Sequence, residues 1–348
     1  PALSRSAGAG AQAGDGGGLV SKHGPHHERL QAVAGAPSGK RFAIGGARGD
    51  RGASAELASK VHLFDGKGKP IGAAAVSGSV TALAFAAGDL LVVGLFDGRL
   101  LAFTEEQGGL SEAFAGHPHQ GTVRAIARDA EGTRLVSVAD DGALVAWRVE
   151  GSRLVEIGRR ALGLRGARSL AIDPRTDVVA VGSEDARIHC LPLEHIADAP
   201  VREMVCGEGG IGALAFTDDG RVIAGCGDGS IRLCFLEGAV DEDERSREAR
   251  HEGPITGLVV GPALTDEHDR PIPRRLLSIS ADGTVKAWPL DSNRRPRTLE
   301  VGSAALVGAA HLPAGRVKAD RRGGTLVVID ERRSLGLVPL SETIELGE

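Results

Sequence analysis

Two stretches of the chain space the same three polar-tipped residues identically. Ser137, Asp141 and Trp147 stand in LVSVADDGALVAWRV (135–149), and Ser278, Asp282 and Trp288 in LLSISADGTVKAWPL (276–290). The two stretches align without a gap. In each, the serine lies four residues before the aspartate and the tryptophan six after it. A hydroxyl, a carboxylate and an indole N–H at fixed spacing form a hydrogen-bonding set, and a buried set of this kind has to be mutually satisfied.

Other residues with chemical potential are scattered. Cys190, Cys206, Cys226 and Cys234 form no C-x-x-C, so buried thiols in a reducing compartment are the expectation. Cys226 and Cys234 fall on neighbouring expected strands and could meet. His23, His26 and His27 cluster in KHGPHHER, but an unstructured tail does not fix metal ligands, so no metal is expected. Gly207-x-Gly209-x-x-Gly212 has the letters of a dinucleotide loop, but a strand follows it instead of a helix. Gly39-Lys40 is followed by Arg41, where a phosphate loop needs Ser or Thr. Arg48-Gly49-Asp50 is an adhesion-like tripeptide in a polar loop. H-E-x-x-H and G-x-S-x-G are absent. No enzyme activity and no cofactor are expected.

The elements that carry these residues are short strands with glycine-rich turns. The chain has 348 residues, 51 of them Gly, and 3% aromatics. This suits an all-β array better than a helical bundle. Net charge is −5, which gives no pull toward nucleic acid or anionic membrane. No apolar run approaches the ~18 residues of a spanning helix. Nothing reads as a signal peptide, so the cytoplasm is the expected location. Of 41 basic residues 34 are Arg, which suggests a GC-rich, bacterial genome.

Residues 1–28 are Ala/Gly-rich and are expected to be a flexible segment. From residue 29 to 348 a unit recurs: an apolar strand such as VTALAF (80–85), then a strand–turn–strand hairpin, often with Asp-Gly at the turn. Aligning on Trp147 gives Phe64, Phe103, Trp147, Leu191, Cys234, Trp288 and Ile329, spaced 39 to 54 residues apart. That is near the ~40–45 residues of a four-stranded propeller blade. The fourth strands are expected in LSEAFA (110–115), LVEIGRR (154–160), REMVCG (202–207) and RTLEVG (297–302). SLGLVPL (334–340) can supply the outer strand of the last blade, in competition with residues near 18–22.

These residues resemble the WD-repeat β-propeller family. The resemblance covers about residues 30–340 and implies a seven-bladed ring of four-stranded antiparallel blades. It also implies a structural tetrad in two units: His117, Ser137, Asp141, Trp147 and His251, Ser278, Asp282, Trp288. In this reading each His bonds Asp and Ser, and Ser reaches the indole; a catalytic His–Asp pair is the alternative. The other five units lack the full set, and the seventh has Gly323 where Asp is expected. Phe64-Asp65 and Ile329-Asp330 keep the trailing Asp of the family's signature dipeptide.

By the same resemblance, partners dock on the face carrying Phe96, Asp140, Glu184 and Arg322, with Thr81, Arg124, Arg168 and Thr256. The expected function is a non-enzymatic protein–protein interaction scaffold, or a subunit of a larger assembly, binding one or more proteins. Alternatives are a regulatory module for an ATPase, kinase or protease, and a small-ligand or metal-dependent propeller. Two insertions, 238–253 and 264–275, are charge-rich and are expected to be solvated surface.

Overall fold

A computed structural model describes residues 21–23, 28–48, 59–106, 109–164, 166–206, 209–217, 219–234, 240–242, 250–261, 264–265, 271–272, 275–290, 296–312 and 325–339. Seven four-stranded antiparallel sheets form seven blades in a ring. The first strand of each blade lies innermost: Glu28–Gly35, Val80–Phe85, Val123–Arg128, Ala167–Ile172, Ile211–Phe216, Ile255–Val260 and Leu306–Leu312. Each touches the next, and the seventh touches the first, so the circle closes.

One blade cannot cover both faces of its own sheet, and the burial shows how the ring solves this. The buried apolar side chains fall into seven clusters, each shared by two neighbouring blades. The second strands are therefore apolar almost throughout, as in LVVGL (91–95), which is wholly buried. Close approach is managed by size exchange. Gly45, Gly94, Gly182 and Gly225 sit on second strands, where a Cβ would come within 2.5–2.7 Å of Val80, Val123, Ile211 and Ile255 of the next blade. In blade three the sizes are swapped: Val138 holds the glycine position and Ala167 opens the next strand, both in one cluster.

The four expected outer strands are present, as Gly109–Gly116, Arg153–Ala161, Arg202–Val205 and Arg297–Glu300. Pro70–Val76 completes blade one. Val240–Glu242, inside the first charged insertion, completes blade five. The second insertion carries a small ribbon, Leu264–Thr265 against Pro271–Ile272.

Blade seven departs most from the sequence expectation. Leu335–Pro339 is its third strand, and its outer strand is Ser21–His23, paired with Leu335–Leu337. The two ends of the chain thus share one blade. Ile329 lies on the second strand, so it is not the counterpart of Trp147. Leu326 pairs with Val338 as Leu135 pairs with Trp147, which makes Val338 the counterpart. Asp330 is then no signature aspartate, and Gly323 falls outside the described residues. The cause is the turn: Glu331-Arg332-Arg333 replaces Asp-Gly, and Arg333 adopts the left-handed φ of 67° that Gly142 and Gly283 supply elsewhere.

Candidate functional site: the ringed mouth of the channel

In all seven blades the pairing of first and second strands slips at one residue. The bulged residues are Gln31, Thr81, Arg124, Arg168, Gly212, Thr256 and Val307, each the second of its strand or aligned with it. A bulge leaves a residue unpaired and re-aims its side chain. All seven residues line one cavity of about 900 Å3, the mouth and throat of the central channel. Below them the wall is apolar, with Ala32, Leu83, Ala125, Ile126 and Leu258. Four of the seven are legible from the sequence. Gln31, Gly212 and Val307 are not among the expected face residues, although the same offset from the start of each strand finds them.

A second set stands at the turns. The backbone N–H of Phe96, Asp140, Glu184, Gly227, Ala281 and Glu331 each donates to a carbonyl just ahead of its own innermost strand, at 2.8–3.0 Å. This common bond identifies Glu331, not Arg322, as the seventh-blade counterpart of Asp140; Arg322 lies outside the described residues. Phe96 is 65% exposed and lines the cavity.

Charge is gathered on one arc. Arg124 grips Asp140 with two bonds, Nε to Oδ1 at 2.7 Å and Nη2 to Oδ2 at 2.6 Å. The hydrogen bond to Asp140 raises Arg124 above its ordinary range, with burial opposing it. Arg168 binds Glu184 through Nε at 2.8 Å. Both pairs are substantially exposed, and such pairs contribute ~0–1 kcal/mol to stability. Their charges can therefore be offered to a partner at little cost. Thr81 and Thr256 differ in role: their hydroxyls donate to Val123 O at 2.7 Å and Leu306 O at 2.9 Å, tying each blade to the next.

The tetrads lie outside the cavity lining; their His, Ser and Trp members are buried, while Asp141 and Asp282 are more exposed. In blade six, Trp288 Nε1 donates to Ser278 Oγ at 2.8 Å; His251 Nε2 lies 2.7 Å from Ser278 Oγ, and its Nδ1 lies 3.0 Å from Asp282 Oδ2. Asp282 also receives the N–H of Glu252 and of Thr284. Burial opposes its charge, but the Thr284 and His251 hydrogen bonds hold Asp282 down to about 2. In blade three the histidine is His119, not His117. His119 Nε2 lies 2.8 Å from Ser137 Oγ, Nδ1 lies 3.4 Å from Asp141, and Trp147 Nε1 donates to Ser137 at 3.0 Å. His117 is on the surface and bonds Asp97 O at 2.8 Å. The correct spacing is visible: His119 is four residues before Val123, as His251 is before Ile255. The ring nitrogens of His251 are both engaged in the tetrad, which accounts for the motif without catalysis.

The cysteines are all buried and free. The pair brought together is Cys206 and Cys234, with sulfurs 2.7 Å apart, not Cys226 and Cys234. Strand register sets Cys226 opposite Ile211 and Cys234 opposite Val222, at different ends of the hairpin. No group of three His, Cys, Asp or Glu is placed to hold a metal among the described residues. His26, His27, Gly49 and Asp50 lie outside those residues.

Comparison with known proteins agrees with this geometry. Residues 199–234 match the family model described as WD domain, G-beta repeat. The match runs from the outer strand of blade four through three strands of blade five. A search of curated proteins finds no sequence match. Among solved structures, Sqt1 from Chaetomium thermophilum is similar in fold at 18% identity. One such structure, bound to the N-terminus of the ribosomal protein L10, gives a TM-score of 0.66, covering 93% of this chain and 100% of that one. Two others give TM-scores of 0.63 and 0.66 over 93% of this chain and 99% and 98% of theirs. Ring closure and strand register make this chain a seven-bladed β-propeller, and one of its repeats, residues 199–234, matches the WD domain, G-beta repeat model.

Proposed function

We propose that this propeller is a non-enzymatic scaffold that receives a segment of a partner protein across the channel mouth. The observation that carries the reading is the ring of seven bulged residues around one cavity, with Phe96 at its rim. An exposed aromatic beside an apolar throat is the composition of an interface anchor. The Arg124–Asp140 and Arg168–Glu184 pairs supply both signs of charge on one arc, which favours orientation and selectivity over raw affinity. The partner segment that fits carries an apolar side chain for the throat, flanked by acidic and basic groups. Sqt1, which shares the fold, has been crystallised with a segment of a protein partner, and that supports a protein ligand here.

The test is co-purification from the native host. It compares wild type with a Phe96→Ala, Arg124→Glu, Arg168→Glu variant whose folding is verified by its unfolding curve. The reading expects a stoichiometric partner that the variant loses. A partner retained by the variant would place the working surface elsewhere and overturn it.

A further inference from the structure

The fifth blade lacks the tetrad, yet it keeps the two points that a tetrad joins. In blade three the link runs from the connector entering the blade, at His119, through Ser137 to the third strand at Trp147. By the same offsets, blade five has Ala224 at the serine position and Cys234 at the tryptophan position. The histidine position falls on Gly207, immediately after Cys206. Ala224 has no hydroxyl to act as the middle of the link. A cysteine therefore stands at each end of a link whose centre is missing. The two residues are fully buried, at 0% exposure, and their sulfurs lie 2.7 Å apart. That is already inside the ~3.5–4.0 Å at which smaller, non-bonded carbon atoms rest.

We propose that Cys206 and Cys234 close to a disulfide that pins the connector between blades four and five to the third strand of blade five, replacing the missing tetrad. The two thiols lose two protons and two electrons as the S–S bond forms. A low-molecular-weight disulfide such as oxidised glutathione takes them up and leaves as two thiols, through a mixed disulfide on one cysteine. The bond closes a loop spanning 28 positions of sequence, so it restricts the unfolded chain as well as the connector. Cys226 is the nearest competitor: its thiol donates to the carbonyl of Cys206 at 3.8 Å. It sits on the second strand, however, and a bond from it would leave Cys234 and the third strand unlinked. Cys226 hydrogen bonding lowers the Cys206 pKa, while the Cys234 contact and burial raise it, to a net value of about 12. The folded Cys206 thiol is thus a poor nucleophile, and closure belongs to folding or to transient opening of the connector.

The protein is refolded with oxidised glutathione, denatured in iodoacetamide and digested with trypsin without reduction. Cleavage places Cys190, Cys206, Cys226 and Cys234 on separate peptides: 188–202, 203–221, 222–232 and 233–245. The expected product is peptide 203–221 joined to 233–245, with Cys190 and Cys226 alkylated. The oxidised protein should also unfold several degrees above the same protein after reduction. That difference should vanish in Cys206→Ser and in Cys234→Ser. Four alkylated cysteines, or a cross-link containing 222–232 or 188–202, would overturn the assignment. So would an oxidation-dependent rise in Tm that survives in either variant.

Discussion

At Ser278 one hydroxyl serves two rings. Its oxygen accepts the indole N–H of Trp288, and its own proton goes to His251 Nε2, which leaves Nδ1 to carry the proton toward Asp282. This arrangement needs a neutral imidazole, and burial lowers the pKa of His251 accordingly. Removing the hydroxyl in Ser278→Ala orphans two buried polar atoms, so denaturant unfolding should show a loss of about 1–3 kcal/mol. The same method separates the two histidines of blade three. His119→Ala should cost more than about 1 kcal/mol, whereas His117→Ala, on the surface, should stay within about 0.5 kcal/mol. The sequence carried the four residue types but not which of two neighbouring histidines is inside, because AGHPHQG presents both within three positions.

The acid side of the stability curve follows from the same set. The folded pKa of His251 and of His119 lies below the ordinary 6.5, so the unfolded chain binds the extra proton first. Their contribution is complete above about pH 6.5 and is lost as pH falls toward the folded values. Asp282 shifts from 3.8 to about 2, so its contribution is lost over that lower window. Thermal unfolding followed from pH 8 to pH 2 should therefore show a plateau above pH 6.5 and a two-stage decline below it. A His251→Asn variant should flatten the upper stage.

At the scale of elements, the hairpins with Asp-Gly were the most legible part of the chain, for a local reason. Gly98 has φ of 90°, and a Cβ there would come 2.2 Å from His119 O in the next connector. Gly98→Ala should destabilise the protein through both backbone strain and the displaced connector, by about 1–3 kcal/mol in chemical unfolding. Blade seven shows the limit of this signal. Its turn uses Arg332-Arg333, so the local cue is missing, and its outer strand comes from the other end of the chain. Pairing between residues some 300 positions apart leaves no local pattern. The outer strand Val240–Glu242 was hidden differently, inside a charged stretch that reads as solvated surface.

The whole molecule adds what no single unit contains. Each innermost strand contributes one bulged residue, and closure of the ring turns seven residues of unrelated chemistry into the lining of one cavity. The ring was legible because the repeat length and the apolar second strands allow few other ways to bury seven sheets. The mouth was legible in part: the positions follow from the repeat, but their chemistry varies from Gly212 to Arg168, so no motif marks it. The central claim is that this mouth is where a protein partner sits. It is tested most directly by placing a photo-crosslinking residue at Phe96, and separately at Ile157 on the outer strand of blade three, and irradiating each in host extract. The account predicts one defined crosslinked protein from position 96 and none from position 157. Crosslinking at 157 with silence at 96 would contradict it.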